Sequence, residues 1–245
     1  MDSSSQSASH SDHKNQLPIV VYDIGARGGL GAEWNECPEP IHAVLFEPDL
    51  DEYNKLVARS NSLFQQTVLP IALSDQSGES HFFVTTNRQC SSLLEPNIQL
   101  LEARYGAFAR HFHVEEVIKT NVRRLDEVIL EQNLPTPDAI KLDIQGAESL
   151  VLSGLGTMLT DVKAVRLEVH FRELYLGEDL FDRIHAYMDS HGFELRRILN
   201  DKGRRFRGGE IVEVDVFYVN HKYLLPSAQA CARHITNTIL HVWNM

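Results

Sequence analysis

The sequence predicts a mostly parallel α/β sheet, covered by helices on both faces and closed by an antiparallel hairpin. Three observations carry this expectation. Apolar runs of strand length alternate with segments of helical spacing. The first run ends in an acid and opens into a glycine-rich turn, IVVYDIGARGGLG (residues 19–31). The last two runs, residues 193–199 and 212–219, are joined by a loop too short for a crossover helix, so they pair antiparallel.

The first strand is Ile19–Ile24, and the segment after it is broken by Pro38 and Pro40. The second strand, 43–46, ends at Glu47, which Pro48 biases toward extended geometry. Leu50, Tyr53 and Val57 stand near helical spacing and predict a helix over 50–59. A third strand over 67–73 ends at Ser74 and Asp75. A turn at 75–78 and a further strand at 80–84 form an insertion relative to a plain βα repeat. Residues 86–95 read as a polar loop, 98–112 as helix, 117–122 as a short strand and 125–132 as helix. The fourth strand, Ala139–Leu142, ends at Asp143, and a helix over 147–153 follows, closed by Gly154. The fifth strand, 164–169, ends at His170, and a helix over 179–190 stops at His191 and Gly192, as a glycine cap predicts. In domain terms, 1–16 read as a disordered serine-rich tail, 17–220 as one domain, and 221–245 as a C-terminal extension with a helix over 227–242.

A chain of 245 residues can bury one large core. Its net charge of −11 argues against nonspecific binding to nucleic acid or anionic lipid. The basic run KGRRFR at 202–207 reads as a solvated hairpin loop, or alternatively as a lip for an acidic substrate. No apolar run reaches the length of a membrane span. The N-terminus lacks the apolar stretch of a signal peptide. Cys37, Cys90 and Cys231 show no metal or redox spacing, which points to a reducing cytoplasm.

The turn after the first strand is the layout of a nucleotide-type cofactor site. Glycine lets a ligand approach the backbone, and an acid at the end of the second strand accepts hydrogen bonds from ribose hydroxyls. A dinucleotide fingerprint is not met, because Arg27 stands two residues after Gly25 and the later Gly29-Leu30-Gly31 frame ends on Trp34. Asp23, just before the first glycine, would repel a pyrophosphate but suits a sulfonium and an ammonium. S-adenosylmethionine (SAM) carries both. Asp23, Glu47, Asp75, Asp143 and His170 all fall at successive strand ends, where open α/β sheets bind their ligands.

The motifs VYDIGARGG (21–29), FEP (46–48), ALSDQSGESHFF (72–83), RRLDEV (123–128), DAIKLDIQGAESLVLSG (138–154) and EVHFRELYLGEDLFDRI (168–184) resemble the FkbM family of SAM-dependent methyltransferases, with HGFEL (191–195) continuing the match. The resemblance implies a Rossmann-like seven-stranded methyltransferase sheet and methyl transfer to a hydroxyl oxygen of a sugar or natural-product small molecule. A hydroxyl nucleophile needs a base or a metal. Asp143 is the first choice as base or as metal ligand, and His170 the second choice as base. Glu148 orients the loop, gives Mg²⁺ a second carboxylate, or acts simply as a first-turn helix acid. The cofactor site comprises Asp23, Gly25, Ala26, Arg27, Glu47, Ser74, Asp75 and Asp143. The family often carries Asn where this chain has Arg27, whose guanidinium pairs either with the SAM carboxylate or with a neighbouring acid. Residues 86–113 and 170–179 are long enough to form acceptor lids and carry Arg104, Tyr105, Arg110, His111, His113, Phe171, Arg172 and Tyr175. The rival readings are an NAD-dependent enzyme and a noncatalytic methyltransferase-like binding or scaffold domain.

Overall fold

The computed structural model describes residues 17–59, 64–199 and 210–245. The tail at 1–16 and the basic run at 202–207 lie outside the described residues. Seven strands form the main sheet: β1 (Ile19–Ile24), β2 (Ile41–Phe46), β3 (Gln65–Leu69), β7 (Ala139–Leu142), β8 (Ala164–His170), β9 (Phe193–Leu199) and β10 (Glu213–Asn220). Their order is β3-β2-β1-β7-β8-β10-β9. All neighbours run parallel except β10, which is antiparallel to both β8 and β9. The order reverses between β1 and β7, and this switch point opens a crevice at the carboxyl ends of the strands.

The sheet is buried on both faces, which explains why its strands read as continuous apolar runs. Alternation along β1 sends Val20, Tyr22 and Ile24 to one core and Ile19 and Val21 to the other. The first core lies under α3 (Leu125–Glu131), α4 (Glu148–Gly154) and α5 (Phe181–Ser190), through residues such as Val128, Val151 and Ile184. The second lies under α1 (Leu50–Ala58) and α6 (Ala230–Val242), with the short 3-10 helix Ala32–Glu36. There Trp34 meets Trp243 edge-on, ring centroids 5.7 Å apart, and Trp243 also packs on Phe217 of β10. The end of the chain is thereby fastened to the connection that follows β1.

A second sheet, β4 (Ala72–Ser74), β6 (Val114–Arg124) and β5 (Gly78–Thr85), stands beside the first in the order β4-β6-β5. This corrects the expected third strand. Residues 67–73 are not one strand: β3 ends at Leu69, and Ala72–Ser74 pairs with β6 in the other sheet. Pro70 sits at the break, since it has no N–H to continue a ladder. The expected helix over 98–112 is also divided. α2 (Ile98–Tyr105) stops where Gly106 takes φ +52°, and a 3-10 helix, Gly106–Phe112, continues. The strand expected at 117–122 is longer, reaching from Val114 to Arg124.

Candidate cofactor and acceptor site

The carboxyl ends of β1, β2 and β7 meet through backbone contacts. The amides of Gly25 and Ala26 both donate to Phe46 O at 3.1 Å, and the Asp143 amide donates to Ile24 O. Gly25 has φ +78°, and a Cβ there would lie 2.2 Å from the Asp143 carbonyl oxygen. Only glycine fits this corner. Beside it opens a cavity of about 540 Å³, within the range of small-molecule sites. Its walls include Gly25, Arg27, Glu47, Lys141, Asp143, Gln145, Glu168 and Glu213.

At the β2 end, Glu47 is buried and its Oε1 accepts from the Asp49 amide at 2.9 Å. Burial pushes the Glu47 carboxyl up, against the opposing pull of that amide and of Arg27. Asp49 caps α1, accepting from the amides of Asp51 and Glu52, and pairs with Arg27 at 2.7 Å. Arg27 thus has a neighbouring acid, Asp49, as a partner. The pairing leaves a mixed-charge wall beside the glycine turn.

Lys141 occupies the centre of the switch point. Its Nζ lies 3.0 Å from Asp23, 4.0 Å from Asp143, and donates to Gly25 O at 3.2 Å. Burial disfavours its charge, but the Asp23 and Asp143 carboxylates outweigh that and raise its pKa. Burial also raises that of Asp23, with Lys141 opposing. Asp23 thus stands buried behind the turn, ion-paired with Lys141.

The loop after β7 reads Asp143-Ile144-Gln145-Gly146-Ala147-Glu148. Gln145 adopts φ +61° and points its amide at Asp143 and Glu168. Glu148 is buried and accepts from the Ile144 amide at 2.8 Å, and burial pushes its carboxyl up to about 7. His170, also buried, holds Glu178 at 2.6 Å through Nδ1, stands 3.8 Å from Glu168 through Nε2, and stacks on Tyr175. Burial works against the imidazolium, yet the two glutamates prevail and lift its pKa well above the ordinary histidine value.

Four of the expected site residues come together on the cavity wall: Gly25, Arg27, Glu47 and Asp143. Asp23, Ala26, Glu148 and His170 are buried just behind it. Ser74 ends β4 in the second sheet and Asp75 follows it, a consequence of the break at Pro70, and neither is among the lining residues. The lid segment 86–113 supplies Asn87, Arg88, Phe108, His111 and Phe112 to the wall. Segment 170–179 supplies none; it lies outside and is bonded to the first, with Asn97 N donating to Leu174 O and Leu176 N to Glu95 O. Lys141, Gln145, Glu168 and Glu213 were not picked out by sequence reasoning. Glu168 had a signal, since it stands two residues before His170 and alternation puts both on one face of β8. Among the described residues no group of three or more His, Cys, Asp or Glu is placed to hold a metal ion. The Mg²⁺ reading finds no support: Glu148, the second carboxylate it needs, is turned to the Ile144 amide.

The strand order and a cavity at the switch point define a methyltransferase-type α/β domain. The methyltransferase FkbM domain matches residues 23–195, and the chain belongs to that family. The chain is 28% identical over 167 residues to the 2-O-methyltransferase NoeI of Sinorhizobium fredii, covering 65% of this chain and 66% of that protein. It is 28% identical over 153 residues to the hexuronic acid methyltransferase AglP of Haloferax volcanii, covering 62% and 56%. The matches thus span somewhat less than two thirds of either relative's length. A crystal structure of methyltransferase FkbM from Methylobacillus flagellatus aligns over 81% of this chain and 43% of its own, at 16% identity and a TM-score of 0.49. No described helix is long and apolar enough to cross a membrane.

Proposed function

We propose that this chain methylates a hydroxyl oxygen of a sugar or natural-product small molecule, using SAM. The observation that carries the reading is the cavity at the switch point, which joins a glycine corner, an acid at the β2 end and carboxylates at the β7 and β8 ends in a chain of this family. The residues fit the cofactor: the Gly25 corner admits a ligand against the backbone, and Glu47, fixed by the Asp49 amide, suits ribose hydroxyls. When bound, SAM supplies an electrophilic methyl group. The chain's own residues align the acceptor and receive its proton. Asp143 and Glu168 both line the cavity and are the groups for that role, whereas His170 and Glu148 act from behind. Phe108, His111 and Phe112 form the covering wall for the acceptor.

A sugar-type acceptor is supported by the names of the two relatives, one a 2-O-methyltransferase and the other acting on a hexuronic acid. Cys37, Cys90 and Cys231 are free thiols, which supports a reducing cytoplasm as the place of work. The test is twofold. Labelled SAM is offered with a library of hydroxylated acceptors, and SAM, S-adenosylhomocysteine (SAH) and NAD are compared in equilibrium binding. Methyl transfer with no NAD binding is the expected result; SAM binding without transfer to any acceptor favours the noncatalytic reading. Glu47→Ala should weaken SAM binding by roughly 1.5–3 kcal/mol per hydrogen bond lost, and parental affinity in that variant removes the ribose role.

A further inference from the structure

Gln145 stands between the carboxylates at the ends of β7 and β8, and the methyl-transfer reading does not by itself call for an amide there. Its Nε2 carries two hydrogens. One goes to Asp143 Oδ1 at 3.1 Å and the other to Glu168 Oε2. Its Oε1 lies 3.0 Å from the hydroxyl of the fully buried Tyr175, whose single hydrogen is shared between this oxygen and Cys90 O at 2.8 Å. The amide has one good orientation, because turning it over would set its oxygen against two carboxylates. The backbone is held as well: the Gln145 carbonyl accepts from Ser92 Oγ at 2.8 Å, and the residue keeps φ +61°, a region that glycine or asparagine occupies with less strain. A strained position filled by glutamine and fixed at both ends is organised around its side chain.

We propose that Gln145 is a positioning residue for proton removal: its amide holds Asp143 and Glu168 side by side so that the acceptor hydroxyl, on bonding to the methyl carbon, gives its proton to this pair. The proposal rests on the methyl-transfer reading. The step balances: the acceptor oxygen forms the new O–C bond, the electron pair of the broken C–S bond stays on sulfur, and the proton moves to a carboxylate. The titratable and charged groups around the pair are Lys141, Arg166 and Asp23 toward Asp143, and His170, Glu148 and Tyr175 toward Glu168, with Glu213 on the same wall. Two carboxylates brought together without the donor between them hold a proton more readily.

Two variants test this. Gln145→Asn suits the left-handed backbone but is one methylene too short to span both acids. Gln145→Glu keeps the length and removes the donor. Both should bind SAH within about threefold of the parent, lose about 10- to 100-fold in kcat, and move the acidic limb of the kcat–pH profile up by about one unit. A merely structural role would lower the melting temperature and leave that limb in place, and this outcome overturns the proposal. Carboxyl ¹³C NMR of labelled Asp and Glu gives a readout free of turnover. A parent that binds SAH but methylates nothing sinks the reaction reading. The NMR then still decides on Gln145, because a Gln145→Asn protein with the parental carboxyl titration overturns the positioning role.

Discussion

Glu148 shows how burial changes what a residue can do. It carries the acid of the DIQGAE loop, yet its side chain is turned inward to the Ile144 amide, with His170 and Glu168 as its charged neighbours. Its carboxyl is pushed up to about 7 in the fold, against an ordinary value near 4.5. Between those values the folded chain keeps a proton that the unfolded chain has released, so stability falls as pH rises through this window. Glu148→Gln keeps the acceptor for the amide and removes the titration. It should lessen the fall in stability between about pH 5 and 7, with a gain on the order of 2–3 kcal/mol at the alkaline end, while the fall due to His170 above its ordinary pKa remains. Urea melts at several pH values check this, and parallel curves for parent and variant would place the proton elsewhere. At this scale the sequence revealed Gly25, Glu47 and Asp143, because a strand end announces itself by an apolar run stopping at a turn. It did not reveal Lys141 or Gln145. A lysine inside a strand and a glutamine in a loop carry no periodic signal; both acquire meaning only when β1, β7 and β8 lie side by side.

Among the elements, the covering segment is where chemistry and sequence pattern part. Length alone suggested lids at 86–113 and 170–179, and the aromatic and cationic side chains were natural candidates for acceptor contacts. Of these candidates His111 stands on the wall, joined by Phe108 and Phe112 of the same 3-10 helix, Gly106–Phe112. Tyr175 is buried behind Gln145, and Arg172 pairs with Glu210 outside the lining. Phe108→Ala should raise the acceptor KM roughly fivefold to thirtyfold, since it removes apolar area worth about 1–2 kcal/mol from one wall, while SAH affinity holds. Arg172→Ala should leave both constants unchanged. Steady-state kinetics with a working acceptor decide, and the reverse pattern would restore the second segment as the lid. The divided third strand was hidden for a related reason: Val68 to Leu73 is apolar throughout, and the single break at Pro70 separates two sheets rather than bending one.

For the whole molecule, the mostly parallel sheet with its antiparallel close was the most legible feature. Parallel strands covered on both faces leave unbroken apolar runs, and the short connection before β10 requires an antiparallel close. The attachment of the final helix was not legible, because helical spacing in 227–242 does not say which surface it meets. Its anchor is Trp243, only 3% exposed, set against Trp34 and Phe217. Trp243→Ala should destabilise the domain by about 3–5 kcal/mol, measurable by denaturant melts, while SAH binding at low temperature persists. A variant as stable as the parent would show that α6 contributes little to the fold.

Trp34 and Trp243 are also the chain's only two tryptophans, and neither lines the cavity. Intrinsic fluorescence of this protein is therefore a gauge of one joint. Two shielded indoles in edge contact emit toward the blue and couple in near-ultraviolet dichroism. Both signals fade when α6 lifts from the sheet, and neither indole touches a ligand lying in the cavity. Emission that changes on adding SAH would thus report a movement carried from the cavity wall to this joint, with Ala26 of the glycine turn in the same core.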